Sequence, residues 1–174
     1  MAKGLERVLD GIKRKTLPLI LVSGFALINF SPTYNTTDFK VSCPHNWTST
    51  ELSALLFMGS GKGVLLCSPS DKEEIQVISR KLGQEETLES FINDIKKKMN
   101  LEKQSYQKID ISPIKLSDQN GYQIEYLYKE KVRGKWCYTA KNNKIYTICY
   151  VDKIDNFNDN LYIMNEVIKS FRIK

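Results

Sequence analysis

His45 is the chain's only histidine. As a general base it would need a nucleophile and an orienting acid brought to it by the fold, and a turn histidine beside Trp47 is ordinarily structural or solvated. The count excludes metal binding by a histidine pair, which leaves Asp155, Asp159 and Glu166 as a formal carboxylate site. The run Asp155-Asn156-Phe157-Asn158-Asp159 lacks the glycine and the terminal glutamate of an EF-hand loop, so helix capping explains it better. Met58-Gly59-Ser60-Gly61-Lys62-Gly63 resembles a phosphate loop, yet the first glycine of that pattern is missing. Gly63 also stands where a Ser or Thr must reach magnesium, so a glycine-rich hairpin turn fits better. No catalytic residue, metal site or cofactor is therefore expected.

Cysteines offer other chemistry. Cys43, Cys67, Cys137 and Cys149 form an even set that allows three pairings, and all follow the N-terminal apolar run. Cys137 and Cys149 flank Lys141-Asn142-Asn143-Lys144, which reads as a hairpin turn. A two-residue Asn142-Asn143 turn sets Cys137 opposite Ile148 and Cys149 opposite Trp136, with the sulfurs on opposite faces; a three-residue loop sets the two cysteines across from each other. Four half-buried thiols serving as small apolar residues are the alternative to a disulfide. No C-x-x-C spacing occurs, so zinc and thioredoxin-like chemistry have little support. Asn35-Thr36-Thr37 and Asn46-Trp47-Thr48 are sequons, making Asn35 and Asn46 glycosylation acceptors in an exporting, glycosylating host.

The N-terminus bears on compartment. Lys13, Arg14 and Lys15 directly precede the apolar run from Thr16 to Phe30, the order of a signal sequence, which places the body outside the cytoplasmic membrane. Fifteen residues give about 22 Å of helix, short of the ~30 Å hydrocarbon core. Length thus favours a cleaved signal, whereas the lack of an A-x-A-like site and the flanking Asn29 to Tyr34 favour a retained, tilted anchor. Leu21-Val22-Ser23-Gly24 begins like a lipoprotein box, but Phe25 replaces the required cysteine. Leu5, Val8, Leu9 and Ile12 recur at helical spacing, as in a short interfacial helix. The remaining alternative is a buried helix of a cytosolic domain.

These residues need a scaffold, and 174 residues suffice for one domain plus a terminal segment. We divide the chain into 1–34, the basic and apolar signal or anchor segment, and 35–174, the folded domain. Of 26 basic and 20 acidic side chains, five and two fall in the first thirty residues, so the body carries only +3. That weak charge, and export, argue against nucleic acid, although tyrosines and lysines from Tyr122 to Tyr150 could form an aromatic, basic face.

Alternating stretches predict strands from Asp38 to Cys43, Gly63 to Cys67, Ile75 to Val77, and Tyr106 to Leu116, where Pro113 suggests an edge or a break. Asn120-Gly121 reads as a turn into Tyr122 to Tyr128, whose Tyr122, Ile124, Tyr126 and Tyr128 share a face. Lys129 to Lys135 then connects to a hairpin from Trp136 to Val151. Thr87 can cap a helix with Leu88, Phe91, Ile92, Ile95 and Met99 on one stripe. A closing helix carries Phe157, Leu161, Met164, Ile168 and Phe171, capped by Asn158 or Asp159. The fold class is α+β, an antiparallel sheet covered by helices.

Three features in order carry a resemblance: the turn F-x-V-x-x-P-x-x-W (Phe39, Val41, Pro44, Trp47), the strand Gly121 to Tyr126, and the ending Val167-Ile168-Lys169-Ser170-Phe171-Arg172-Ile173. Together they resemble the PsbP-like domains over roughly Asp38 to Lys174. The resemblance implies an α/β/α sandwich around a central, mostly antiparallel sheet, preceded here by the signal or anchor helix. It also implies a non-catalytic, extracytoplasmic, membrane-tethered or secreted binding or assembly module with a protein partner. No metal-binding residue of the plant proteins matches a position here. An extracytoplasmic enzyme or accessory subunit, and a cytosolic binding protein of the same fold, are the alternatives.

Overall fold

The computed structural model describes residues 32–52, 61–70, 73–102 and 104–174. The N-terminal apolar run, the interfacial stripe and Met58 to Ser60 lie outside them. Among the described residues ten strands and two helices follow in order: β1 (Thr33–Asn35), β2 (Phe39–Ser42), β3 (Thr48–Leu52), β4 (Gly61–Cys67), β5 (Glu74–Lys81), α1 (Leu88–Leu101), β6 (Tyr106–Leu116), β7 (Gln119–Tyr128), β8 (Val132–Lys141), β9 (Lys144–Lys153), α2 (Ile154–Ser170) and β10 (Arg172–Ile173). Seven strands form one sheet in the order β3-β4-β5-β9-β8-β7-β6, and β1-β2-β10 form a second. Every pairing is antiparallel.

Turn chemistry sets the large sheet. Ser117 and Asp118, and then Asn142 and Asn143, hold positive φ values between 52° and 62°. Each pair closes a two-residue hairpin of the type whose twist matches the strands. The turn therefore falls at Ser117-Asp118 rather than Asn120-Gly121. Gly121 instead lies within β7, where a Cβ would stand 2.1 Å from the Tyr138 carbonyl oxygen. Close strand approach, not a bend, requires glycine there. Gly134 is likewise a strand residue, because its cross-strand partner Tyr126 lays its ring over it, 2.2 Å from where a Cβ would be. β8 consequently starts at Val132, shortening the expected connection.

Each face of the large sheet carries its own core. On one, Val64, Leu66, Ile75, Val77, Cys137, Ile148 and Tyr150 meet Phe157, Met164 and Val167 of α2, together with Phe39 and Val41 of β2 and Phe171. On the other, Ile92 and Met99 of α1 cover Ile124, Tyr126, Tyr138 and Ile145. The helices thus lie on opposite faces. α1 starts as its sequence requires: Thr87 Oγ1 accepts from Ser90 N at 3.1 Å and Ser90 Oγ accepts from Thr87 N at 2.9 Å, a reciprocal cap.

α2 departs from expectation. It begins at Ile154, four residues ahead of Asn158, and its N-cap Lys153 makes no side-chain capping bond. β9 runs straight into it, and the Lys131 carbonyl accepts from Ile154 N at 3.0 Å, satisfying one donor that a cap would otherwise serve. Its seam is Phe157, Met164 and Val167, with Leu161 and Ile168 half-buried; Phe171 follows the helix. β10 joins β2, placing Ile173 opposite Phe39.

Candidate interaction surface

The small sheet is tied to the large one through Asp38. One carboxylate oxygen accepts from Lys144 Nζ at 2.7 Å and from Thr37 Oγ1 at 2.9 Å; the other accepts from Ser79 Oγ at 2.8 Å. Burial opposes ionisation, but the Lys144, Ser79 and Thr37 hydrogen bonds and the Lys144 charge outweigh it and hold Asp38 below its ordinary value. Lys62 Nζ donates to Thr37 at 3.0 Å. The lysine of the apparent phosphate loop is therefore an exposed residue of β4, hydrogen-bonded across to the small sheet. The motif's Gly61, Lys62 and Gly63 are strand residues.

Under α2 lies a second polar cluster. Glu125 accepts from Arg133 at 2.9 Å and pairs with the buried Lys135 at 3.1 Å. Burial raises Glu125, but Lys135 first and then Arg133 overcome it, and its carboxyl sits below the ordinary value. Arg133 also covers the Phe157 ring, 4.8 Å from its centroid, and donates to Asn158. These ions are engaged with one another and with the helix they support.

None of the sequence's chemical candidates converges into a metal site: among the described residues no group of three or more His, Cys, Asp and Glu side chains could hold an ion. His45 is exposed in the β2–β3 turn. Asp155, Asp159 and Glu166 are exposed on α2, Glu166 pairing with Lys169 at 2.7 Å. Asn35 and Asn46 are both exposed, Asn46 at φ 65° in the turn.

The cysteines scatter. Cys43, Cys137 and Cys149 are free thiols. Cys43 donates to the Trp47 carbonyl at 3.3 Å, and burial raises its pKa. The two-residue turn pairs Cys137 with Ile148 and Cys149 with Trp136, so these cysteines lie on opposite faces and the three-residue-loop register does not form. Burial pushes both thiols up to about 12, which suits small apolar packing rather than reactivity. Cys67 is half-buried at the end of β4.

Tyr122, Ile124, Tyr126 and Tyr128 do share one face, but α1 closes it. Tyr106 and Tyr126 meet edge to face at 5.3 Å, Tyr126 and Trp136 at 5.0 Å, and Phe91 of α1 meets Tyr138 at 5.5 Å. The Tyr126 and Tyr138 rings are buried in these contacts, and Tyr122 and Tyr128 are half-buried. Arg80 locks the helix down: its guanidinium lies 4.8 Å over Phe91 and grips Glu86 through two bonds of 2.9 and 2.7 Å. The Arg80 hydrogen bond and one from Gly83 N bring Glu86 to about 2.

α1 covers only part of its face. Toward β3 the same face continues through Leu65, Gln76, Ile78, Thr147, Cys149 and Val151, half-buried residues that belong to neither core. β3 borders this open area, with four of its five residues exposed. A shallow open groove of about 420 Å³ on the outer side of α1, lined by Asn93, Lys96, Lys97, Asn100 and Leu101, is formed by one helix alone. The sequence reading missed β3, because Thr-Ser-Thr-Glu-Leu has no apolar alternation; its β-branched threonines were the available signal. Among the described residues no helix is long and apolar enough to cross a membrane.

The fold has solved counterparts. Cyanobacterial PsbP (CyanoP) from Synechocystis superposes with a TM-score of 0.61 at 14% identity, covering 88% of this chain and 99% of that one. LpqN, a protein involved in cell envelope biogenesis of Mycobacterium tuberculosis, gives 0.55 at 12% identity, covering 78% and 83%. The chain thus has a distant structural resemblance to PsbP-like and other small α+β domains. No protein-family model and no curated protein matches the sequence. Two of the three segments that carried the resemblance come together in space: Phe39, Val41, Trp47, Val167 and Phe171 share one core, and Ser42 N donates to Ser170 Oγ at 3.0 Å, whereas Ile124 and Tyr126 of the middle strand pack on the opposite face.

Proposed function

We propose that this chain is a non-catalytic binding or assembly module of PsbP-like type, exported and held at the outer side of the cytoplasmic membrane, or released there, by residues 1–34. The observation that carries it is the fold shared with CyanoP and LpqN over most of the chain, the second of them involved in cell envelope biogenesis. The basic-then-apolar N-terminus supports the location, and the open sheet face beside α1 supplies a surface for a protein partner. On this reading the polar clusters around Asp38 and Glu125 are structural, and neither nucleic acid nor a cofactor is involved. Asn35 and Asn46 are then available for modification in a glycosylating host.

Protease added to intact spheroplasts, followed by mass spectrometry of the protein's N-terminus, tests it. Digestion of the body supports export; an intact Met1 or Ala2 then means an anchor, and a new terminus near Ser31 a cleaved signal. A protected, unprocessed, soluble chain overturns export. It would favour the second reading, a cytosolic binding protein of the same fold, which the free thiols of Cys43, Cys137 and Cys149 suit.

A further inference from the structure

The two edges of the large sheet are built differently. β6 is guarded: Pro113 removes a donor from its ladder, and a register shift between Gln107 and Asp110 bends it. β3 has neither device. Its five residues pair with β4 in unbroken register from Thr48↔Cys67 to Leu52↔Gly63, contain no proline and no lysine, and present their other side to solvent. A bare edge of this kind is a template for another strand.

We propose that β3 is a homodimer edge, at which two copies pair β3 antiparallel about a twofold axis at Thr50. This rests on the geometry of β3 and not on the compartment or partner proposed above. The strand is self-complementary in that register. Thr50 meets Thr50 of the second copy, a pair that sheets favour. Ser49 meets Glu51 of the second copy, so the edge's single charge stands directly across from a hydroxyl donor, and the two Glu51 carboxylates are set apart as diagonal rather than opposing neighbours. Thr48 meets Leu52 of the second copy. The period of two places Thr48, Thr50 and Leu52 on the face that carries Cys67, Leu65 and Gly63 opposite them in β4. Pairing therefore joins the two open areas, each containing Leu65 and Ile78, into one continuous surface across a fourteen-stranded sheet, twice the seven of one copy. An isologous contact closes on itself and leaves β6, the guarded strand, at both outer edges.

Sedimentation velocity of the full chain in mild detergent, over a series of concentrations, reads the assembly. A concentration-dependent dimer is expected. Thr50→Lys sets like charges directly across the axis and is expected to weaken it about tenfold, whereas Gln84→Lys, exposed in the β5–α1 connection, leaves it unchanged. Circular dichroism checks that the variants are folded. Thr50→Cys provides an independent reading, since it is expected to give a disulfide-linked dimer under mild oxidation when Gln84→Cys does not. A chain monomeric at every concentration, or a dimer indifferent to Thr50→Lys and uncrosslinked through Thr50→Cys, overturns the proposal. A different protein docking on β3 of a monomeric chain counts as that first result.

Discussion

The two faces of the central sheet are closed by different means. The α2 face is sealed from end to end by a helix, a small sheet and the ending through Phe171, and its charged groups sit in paired clusters at Asp38 and Glu125. The α1 face is closed over β6 to β8 by aromatic edge-to-face contacts and one arginine clamp, then left open toward β3. Stability should reside mainly in the first face, and the second retains surface for association. Substitutions matched across the faces measure that division.

The largest effect is expected at Phe157, fully buried, stacked on Tyr150 at 5.3 Å and covered by Arg133. Phe157→Ala removes a ring from the sealed core and should cost about 3–5 kcal/mol in urea unfolding. Ile78→Ala, on the open area, should cost about 1 kcal/mol or less, because its site is already partly solvated. Equal losses at the two positions would mean that the faces do not differ.

Next comes Glu125→Ala. It leaves Lys135 buried beside Arg133 with no carboxylate between them, a cost of about 2–3 kcal/mol. Lys135→Met combined with the Glu125 change should recover part of this, since the uncompensated ammonium is then gone. Urea unfolding of the single and double variants separates the lost pair from the buried charge.

How far the sequence revealed this division follows from the kind of signal each element carries. α1 was readable because its cap and stripe are local, and β6 because Pro113 limits it to an edge or a break by chemistry alone. At Asn142-Asn143 turn geometry left two registers open, and the two-residue one forms. Asn120-Gly121 misled because glycine serves two needs, a left-handed turn and a close strand approach, which only the neighbouring strand distinguishes. The early start of α2 depends on the Lys131 carbonyl, twenty-three residues earlier in the chain. β1, β3 and β10 are short and polar, and pairing rather than propensity makes them strands. The candidate surface was hidden for the same reason: an open face is defined by what a helix fails to cover.

The α1 clamp predicts a smaller, pH-dependent effect. Glu86 lies at about 2 against an ordinary 4.5, chiefly through the Arg80 hydrogen bonds. A carboxylate depressed in the folded state contributes stability that is complete above its unfolded value and lost as pH falls through the folded one. The contribution is therefore present above pH 4.5 and disappears toward pH 2. Partly exposed, the pair should contribute about 1 kcal/mol. Glu86→Gln should lower stability by that amount at neutral pH and match the wild type near pH 2. Thermal unfolding across this range checks it, and a constant difference at all pH values would assign the loss to packing instead.

Smallest of all should be Trp136→Phe, which probes how the α1 face tolerates polarity. Trp136 Nε1 is buried without an oxygen or nitrogen partner and has only the soft Cys149 sulfur beside it. Removing an unsatisfied donor recovers about 1–3 kcal/mol of desolvation. Losing the larger ring's packing on Tyr126 and Tyr138 costs a similar amount. The two oppose each other, so the net change should lie within about 1 kcal/mol, far below that of Phe157→Ala although both replace a core aromatic. Trp136→Ala, which forfeits the packing as well, supplies the contrast. If Trp136→Phe proved as damaging as Trp136→Ala, the indole N–H would be making a bond that matters, and the aromatic face would be as polar in its construction as the one beneath α2.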